Sequence, residues 1–408
     1  MSFTFIHAAD LHIDSPLAGL SLKDKTVAAR FAHAGRRALE ALVEETIATQ
    51  AAFMLIAGDV FDGDWKDITT GLFFLRTMSK LHRAGIPVFI VKGNHDAASL
   101  MSRDLPYPET IHVFPSDKAT TLSLDDHRVA LHGRSFPNRL TSDFVQSYPA
   151  RREGWLNIGV LHTSLDGSRG HEGYAPCSID ELKLFGYDYW ALGHVHSAEI
   201  VSRDPWVVYP GNLQGRSVRE IGAKGAMRVT VDNGRVIDVK PLELDHARWA
   251  HLLVDVNGAE TEADIVARAI NELEDVHSRS GGRPLAVRIT LTGPTDLHNQ
   301  LVTRRELIQD DIRAAGFRIA EDCWIEQLKI KTSSPPRSSL EMSASEMLDV
   351  DNLLTDVVKD PEFGIIISEL IATIKDRLPR DLRDELSAAD FLNSLSADAR
   401  ALLIGEAS

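Results

Sequence analysis

The first 240 residues alternate between short apolar runs and longer segments whose apolar positions recur at helical spacing. Uninterrupted apolar runs are typical of strands that are covered on both faces, and such runs predict strands at Phe3–Ala8, Ala52–Ala57 and Ile86–Val91. Apolar positions three and four residues apart predict helices over Val27–Gln50 and Ile68–Arg83. This alternation is typical of a layered α/β domain.

Further strands are expected around Val129–Leu131, Ile158–Leu161 and Tyr189–Leu192. The segment "VTVDNGRVIDV" (229–239) predicts a hairpin, because Asn-Gly between two alternating apolar runs is a strong short-range signal for a tight turn. These strands extend the first domain to residue 243.

A second unit begins at residue 247 and ends at 331. Three strand-like runs ("HLLVDV", "LAVRITL" and "WIEQLKI") are separated by two amphipathic, helix-like segments, which predicts a small βαβαβ module. The composition of "KTSSPPRSS" (331–339) is that of a linker. Beyond it, residues 332–408 form the linker and a tail with two apolar patterns at helical spacing in an acidic background.

Composition excludes several classes of protein. Apolar content of 44% and charged content of 25% are those of an ordinary globular protein. The apolar runs are too short and too interrupted to span a bilayer, and the N-terminus lacks the basic and apolar regions of a signal peptide. Cys177 and Cys323 have no metal-site spacing, so we expect a cytoplasmic protein with reduced thiols.

The net charge of −15 is unevenly distributed. Residues 335–408 contain seven Lys/Arg and fifteen Asp/Glu, a balance of −8, so the preceding 334 residues carry −7. An acidic chain argues against a broad, non-specific nucleic-acid surface. Local basic clusters, such as "GRSVRE" (215–220), remain available for contacts with phosphates.

Five predicted strands are each followed by polar side chains that can bind metals. The segments are "HAADLHID", "AGDVFDGD", "GNHD", "GVLHTSL" and "ALGHVHSAE". Ligands bind at the carboxyl ends of strands in open α/β sheets, so these five segments are expected to converge. Each motif alone is more often structural than functional, and His7, inside the first strand, is interpreted as a core histidine. In "GNHD", Gly93 is expected to make a turn and Asp96 to fix the loop as a hydrogen-bond acceptor. The joint pattern is what predicts a site.

The candidate metal ligands share oxygen or nitrogen donors and include no thiolate: Asp10, His12, Asp59, Asn94, His162, His194 and His196. Such a set suits Mn, Fe or Zn and argues against a closed structural zinc site. Seven ligands exceed the needs of one tetrahedral ion but suit two ions that share a carboxylate. Asp59, in a Gly-Asp turn, is the best candidate for that bridge.

Five motifs, taken in order along the chain, resemble those of the calcineurin-like metallophosphoesterase superfamily: D-x-H, G-D-x-x-D, G-N-H-D, H and G-H-x-H. The resemblance implies a layered β-sandwich flanked by helices and two metals, one held by Asp10, His12, Asp59 and His196 and the other by Asp59, Asn94, His162 and His194. It also implies that His95 is not a ligand but the catalytic acid, oriented and kept cationic by Asp62.

The flanking segments resemble the bacterial SbcD/YhaO DNA-repair exonucleases, in particular the YhaO branch. "FIHAADLHIDSPLAGL" and "VYPGNLQGRSVREIGAKG" carry this resemblance over residues 1–240, and 247–331 resembles the capping domain of that family. The resemblance implies a homodimer with a DNA substrate and an SbcC-like coiled-coil ATPase partner. One departure is "DLHID", where SbcD chains carry Trp after Asp and Leu-Gly after His.

The expected function is therefore a Mn²⁺-dependent DNA exonuclease, with 3′→5′ polarity implied by the family. A phosphodiesterase or phosphatase acting on small nucleotides is the alternative, because the metal site does not select the substrate. Arg216 and Arg219 are candidates for DNA phosphate contacts, or else solvated loop charges. His171 and Tyr174 are candidates at the mouth of the site. The acidic tail is expected to dock on a partner, strap a dimer or pack on its own chain.

Overall fold

A computed structural model shows the fold of the chain. It describes residues 1–15, 31, 33–62, 68–98, 105–136, 144–165, 176–335, 356–377, 392, 395 and 399. By contacts between Cα atoms the chain divides into two compact units. One contains most of residues 1–248, and the other contains Trp249–Ser408 with the short segment Ser217–Ile221.

The first unit contains two six-stranded mixed sheets. The first sheet has the order β12-β11-β1-β2-β3-β4, and its strands are β1 (Ser2–Ala8), β2 (Met54–Ala57), β3 (Val88–Val91), β4 (Ile111–Val113), β11 (Gly225–Asp232) and β12 (Arg235–Glu243). The strands β1 to β4 are parallel, and β11 is antiparallel to both β1 and β12. The predicted hairpin joins β11 to β12, where Asn233 and Gly234 both have positive φ.

The second sheet has the order β5-β6-β7-β8-β10-β9. Its strands are β5 (Thr120–Leu124), β6 (Val129–Gly133), β7 (Leu156–His162), β8 (Tyr189–Gly193), β9 (Glu199–Arg203) and β10 (Trp206–Tyr209). The central strands β6, β7, β8 and β10 are parallel, and the edge strands β5 and β9 are antiparallel to their neighbours.

Alternate side chains of the central strands pack on opposite faces, which explains their continuous apolar sequence. In β2, Met54 and Ile56 pack with residues of α1 (Ala34–Ala48) and α2 (Thr69–Arg83) on the outer face of the first sheet. Leu55 of the same strand faces the second sheet and packs in the core between the two sheets.

The outer face of the second sheet carries a further apolar cluster. A short helix, α3 (Asn94–Ala98), follows β3. Trp190 and Leu192 of β8 pack on the outer face of the second sheet with Phe144, Tyr148 and Leu182, the last of which lies on α4 (Ile179–Leu184). Apolar layers thus cover both faces of both sheets, and the first unit is the expected sandwich flanked by helices.

The sandwich corrects one part of the sequence interpretation. The five strands that precede the polar motifs do not belong to one open sheet, because β1, β2 and β3 lie in the first sheet and β7 and β8 in the second. Sequence periodicity reports that a strand is buried on both faces, but it does not report whether a helix or a second sheet covers it. The short strands β4, β5, β9 and β10 were also not predicted.

The second unit contains the expected βαβαβ order. Its three-stranded sheet has the order β13-β14-β15, with β14 and β15 parallel. The elements are β13 (Arg248–Asp255), α5 (Glu262–Ser278), β14 (Leu285–Pro294), α6 (His298–Thr303), α7 (Arg305–Ile319) and β15 (Cys323–Ser333). Residues of α5 and α7 such as Leu273 and Ile312 pack with Val287 and Leu291 on one face of the sheet.

The predicted second tail helix is present as α8 (Pro361–Arg377), whereas most of the first lies outside the described residues. Ile367 and Ile371 of α8 are buried, and Ile365 and Ile366 are 60% exposed. Among the described residues, no helix has the length and apolar content that crossing a membrane requires.

Gly159 of β7 tests how tightly the second sheet is packed. A Cβ at this position would lie 2.3 Å from a ring carbon of Trp190, which is fully buried. We expect Gly159→Ala to lower the free energy of unfolding by about 1–3 kcal/mol, because overpacking displaces the indole ring. Denaturant titration followed by circular dichroism measures this change.

Gly35→Ala in α1 is the matched control. A Cβ there meets no heavy atom within 4 Å, so stability should stay constant or rise by up to about 1 kcal/mol. Equal stabilities for the two variants would show that the packing at Trp190 relaxes without cost.

Candidate metal centre

The loops after the strands have an unusual backbone. Four of the seven predicted ligands have a positive φ: Asp10 (50°), His12 (41°), Asp59 (51°) and His194 (97°). This conformation costs about 1–3 kcal/mol for a residue with a side chain and persists only where the surroundings enforce it. The N–H groups of Asp10 and His12 donate to the carbonyls of Gly58 and Asp59 at 3.0 and 3.1 Å, which ties the first two loops together.

Three glycines make room for the predicted ligands. A Cβ on Gly93 would lie 2.2 Å from Asp59 Oδ1, and a Cβ on Gly58 would lie 2.2 Å from His162 Nδ1. A Cβ on Gly193 would lie 1.9 Å from the Ala57 carbonyl oxygen. Gly93 does not have positive φ, so its role is close approach rather than the turn that the sequence suggested.

Asp10, His12 and His196 form the first cluster of side chains that can hold a cation. His12 Nε2 lies 3.2 Å from His196 Nε2, so two ring nitrogens converge on one point. The Asp10 carboxylate accepts the His194 N–H at 2.9 and 3.1 Å, and burial raises its pKa. A buried carboxylate beside converging imidazoles is a suitable environment for a divalent cation.

Asp59, His162 and His194 form the second cluster. His162 Nδ1 lies 2.8 Å from the Ala57 carbonyl, which can only accept, so Nδ1 carries the hydrogen. His162 Nε2 then faces two further acceptors, Asn94 Oδ1 at 3.0 Å and Asp59 Oδ2 at 3.3 Å. A nitrogen surrounded by oxygen acceptors requires either a proton or a metal ion, and the donor set fits a metal.

The charge of His162 reflects the same environment. Burial lowers its pKa, but the charge of Asp59, its hydrogen bond and the charge of Asp10 outweigh burial and raise the pKa to about 9. A cation is therefore stabilised at this position.

Asp59 lies between the two clusters. Its Oδ2 is 3.3 Å from His162 Nε2 and 4.0 Å from His12 Nε2, and its Oδ1 accepts the His95 N–H at 3.0 Å. The side chain is almost fully buried, and the neighbouring histidines hold its pKa well below the usual value despite the opposing effect of burial. This position suits a carboxylate shared by two ions.

His95 and Asp62 form a third such cluster with His12, which also belongs to the first. Asp62 Oδ1 is 3.0 Å from His95 Nδ1, and the His95 side chain is 43% exposed. Burial lowers the pKa of His95, but the hydrogen bond with Asp62 and the charges of Asp59 and Asp62 outweigh burial and raise it. A partly exposed imidazole with a raised pKa can donate a proton to a bound molecule.

Arg216 lies beside Asp62 and His196. Arg216 Nη1 is 3.8 Å from Asp62 Oδ2, and its Nη2 is 3.3 Å from His196 Nδ1. Arg216 is therefore not simply a solvated loop charge. Arg219 is exposed in the segment Ser217–Ile221, which belongs to the second unit. The other two candidates for substrate contacts, His171 and Tyr174, lie outside the described residues.

Two sequence interpretations of single residues agree with the geometry. His7 is fully buried between Tyr189 Oη at 2.9 Å and the Leu192 carbonyl at 3.1 Å, and burial lowers its pKa to about 3. Asp96 accepts three backbone N–H groups, from Val60, Phe61 and Gly93, at 2.9–3.1 Å. Asp96 thereby fixes the loops after β2 and β3 to each other.

Sequence reasoning missed two supporting contacts. Ser15 Oγ donates to Asp62 Oδ2 at 2.6 Å, on the side of Asp62 away from His95. Asp14, with φ of 59°, accepts both Arg36 Nε at 2.8 Å and Thr70 Oγ1 at 2.6 Å. The only available signal was the unusual "DLHID", because its second Asp stands where the related SbcD motif has Gly.

The sequence profile described as calcineurin-like phosphoesterase matches residues 3–198. The profile described as metallophosphoesterase YhaO, middle domain, matches residues 249–333. The chain belongs to the calcineurin-like metallophosphoesterases, in the branch that carries the YhaO middle domain.

Two curated proteins illustrate this relationship. The chain is 35% identical over 300 residues to the uncharacterized metallophosphoesterase YhaO of Bacillus subtilis, covering 71% of this chain and 72% of that protein. It is 26% identical over 294 residues to the DNA double-strand break repair protein Mre11 of Methanopyrus kandleri, covering 64% of this chain and 61% of that protein. The structure of a dimetal phosphatase from Danio rerio matches 58% of this chain and 98% of the phosphatase chain, with 13% identity and a TM-score of 0.36.

The central position of Asp59 predicts unequal losses of metal. Asp59→Ala should remove both ions, because each cluster loses the shared carboxylate, whereas His196→Ala should remove one of the two. Metal analysis by mass spectrometry after gel filtration measures the difference.

Asp238→Ala is the control for loss of a carboxylate, since Asp238 pairs with Lys240 on β12. It should retain both ions. Equal metal loss for Asp59→Ala and His196→Ala would contradict the bridging role.

Proposed function

We propose that this chain is a metal-dependent DNA exonuclease that uses two divalent ions to hydrolyse phosphodiester bonds, with 3′→5′ polarity. The observation that supports hydrolysis is the position of Asp59 between two His/Asp clusters, with the His95–Asp62 pair beside them. The proposed ions are Mn²⁺, with Fe or Zn as alternatives, because histidine and carboxylate ligands suit all three.

In this proposal Asp10, His12, Asp59 and His196 hold one ion, and Asp59, Asn94, His162 and His194 hold the other. Two bound ions would polarise the phosphoryl group and supply a hydroxide near neutral pH. His95 donates a proton to the leaving oxygen, and Asp62 orients the ring through the 3.0 Å contact with Nδ1. Arg216 offers a positive charge beside the scissile phosphate.

DNA is the proposed substrate for two reasons. Mre11, a distant relative of this chain, is described as a DNA double-strand break repair protein. The chain also carries a separate second unit, which an enzyme for small nucleotides does not require. The proposed organisation is a nuclease domain over 1–243, a capping domain over 247–331 and a partner-binding tail over 332–408.

The proposed assembly is a homodimer that works in the cytoplasm with an SbcC-like coiled-coil ATPase. The apolar side chains that α8 exposes, Ile365 and Ile366, offer a surface on the tail for such a partner. Arg219, His171 and Tyr174 remain proposed contacts with the DNA.

The substrate test compares end-labelled duplex DNA with bis-p-nitrophenyl phosphate, each with Mn²⁺ and the purified full chain. The exonuclease should release mononucleotides progressively from the 3′ end. Turnover of the small diester with intact DNA would instead support the alternative, a phosphodiesterase of small nucleotides. Inactivity on both substrates, with both ions bound, would contradict the hydrolase assignment.

The role of His95 predicts a dependence on the leaving group. His95→Gln should reduce DNA hydrolysis by about 10²–10⁴-fold, because the leaving sugar oxygen needs a proton. Hydrolysis of bis-p-nitrophenyl phosphate should fall much less, because p-nitrophenolate leaves without one. Steady-state kinetics on both substrates provide the measurement.

The metal content of His95→Gln should stay near two ions per chain. The control is His277→Gln on α5, which should change neither DNA hydrolysis nor hydrolysis of bis-p-nitrophenyl phosphate. Loss of metal from His95→Gln would show that His95 is a ligand. Equal losses on both substrates would show that it does not act as the acid.

A further inference from the structure

Asp62 contacts His95 with one carboxylate oxygen and is itself held at the other. Its Oδ1 lies 3.0 Å from His95 Nδ1, and its Oδ2 accepts the Ser15 hydroxyl at 2.6 Å. Arg216 Nη1 lies 3.4 Å from Ser15 Oγ. Because a guanidinium can only donate and an ionised carboxylate can only accept, the hydroxyl accepts from Arg216 and donates to Asp62.

The direction of these hydrogen bonds determines which nitrogen of His95 faces a bound molecule. Asp62 accepts, so His95 Nδ1 carries the hydrogen of their contact. The other nitrogen, Nε2, makes no hydrogen bond with the described residues, and the side chain is 43% exposed. Nε2 is therefore the nitrogen that can give a proton away, and the direction in which it points depends on the position of the Asp62 carboxylate.

Ser15 is firmly placed relative to Asp62. The Ile13 N–H donates to the Val60 carbonyl at 3.1 Å, which joins the loop that carries Ser15 to the loop that carries Asp62. Asp14, the neighbour of Ser15, is bound to both α1 and α2. A donor whose backbone is fixed in this way can hold a carboxylate in one orientation.

A serine beside a turn has a simpler explanation, because its hydroxyl often bonds the local backbone. Here the turn is closed without the side chain, since the Ser15 N–H donates to the His12 carbonyl at 3.1 Å. The hydroxyl instead donates to Asp62, which is 47 positions away along the chain. The local turn therefore does not account for the hydroxyl.

Arg216 is the other candidate for holding the same carboxylate. Its nearest nitrogen, Nη1, lies 3.8 Å from Asp62 Oδ2, beyond hydrogen-bond distance, whereas Ser15 makes the short contact. The hydroxyl is a neutral donor, so it fixes Asp62 without a positive charge that would compete with the imidazole for the carboxylate. Ser15 is thus better suited than Arg216 to orient Asp62 towards His95.

We propose that Ser15 is a positioning residue, whose hydroxyl sets the orientation of Asp62 and, through Asp62, of the His95 ring that gives a proton to the leaving oxygen. This inference rests on the proposed function, in which His95 is the acid, and deepens it by naming the group that orients this acid. It holds for any phosphodiester that the site hydrolyses.

The test compares Ser15→Ala with the wild-type chain on the phenyl and p-nitrophenyl esters of thymidine 5′-monophosphate, each with Mn²⁺. The two substrates differ only in the leaving group, and phenolate needs a proton more than p-nitrophenolate does. The kcat of Ser15→Ala should fall by about 10–100-fold on the phenyl ester and by less than about threefold on the p-nitrophenyl ester, because a misdirected acid affects the poorer leaving group most. KM should change little on either.

Ser79→Ala on α2 is the matched control. It removes a half-buried hydroxyl that donates to the Leu75 carbonyl at 2.8 Å, and it should hydrolyse both esters at the wild-type rate. Ser15→Thr keeps a hydroxyl at the site and should retain most of the wild-type rate on the phenyl ester. Equal losses for Ser15→Thr and Ser15→Ala would overturn the inference, and melting curves check that each variant is folded.

A double variant tests whether Ser15 acts through His95. Ser15→Ala/His95→Gln should be no slower than His95→Gln alone, because residues that act in one chain of contacts are not additive. Multiplied losses would overturn the inference.

Metal analysis excludes a second route. Asp62 Oδ1 also lies 3.6 Å from Nδ1 of His12, a proposed ligand, so a displaced Asp62 could disturb a metal ion instead of the acid. Ser15→Ala should retain both ions. Loss of an ion from this variant would overturn the inference, because Ser15 would then support the metal centre.

The outcomes separate this inference from the proposed function. A leaving-group effect in His95→Gln that is absent from Ser15→Ala would overturn the inference alone. Equal losses on the two esters in His95→Gln would overturn the role of His95 as the acid, and the inference with it. A chain that shows the expected ester ratios but leaves DNA intact would overturn the exonuclease function and still support the role of Ser15.

Discussion

The geometry of the candidate site depends on one carboxylate and the space made for it. Asp59 occupies a left-handed turn, and its Oδ1 lies where any side chain at position 93 would be. Its other oxygen faces His162 from the second sheet and His12 from the first. Side chains that follow strands of both sheets therefore contact the same carboxylate. Without a cation, the buried oxygen and nitrogen acceptors of these side chains would face each other. Burying acceptors in this way costs free energy, because the protein interior has a low dielectric constant.

Much of this arrangement could be predicted from the sequence, because each predicted ligand follows an apolar run at a short and regular distance. The strands β1, β2, β3, β7 and β8 all appear where periodicity placed them. The second unit and the tight Asn233-Gly234 hairpin follow for the same reason, since local pattern and turn chemistry determine them.

The partition of the strands between two sheets was not predictable. A strand covered by a helix and a strand covered by another sheet have the same apolar pattern. The pattern therefore shows that a strand is buried but does not show which element covers it. The role of Gly93 was missed for a related reason. In the sequence Gly-Asn indicates a turn, whereas the space that Gly93 leaves is filled by Asp59, more than thirty residues earlier in the chain. Contacts between distant residues of this kind leave no local signal.

The turn at Asp14 has a consequence for how this branch of the family can change. Glycine adopts a positive φ without strain, and aspartate tolerates it better than most residues. Here Asp14 also binds Arg36 on α1 and Thr70 on α2, so one backbone turn has become tied to two helices. Substitutions at the three positions are therefore not independent. Glycine at position 14 would remove the acceptor that Arg36 and Thr70 share and would therefore unlink the two helices at this point.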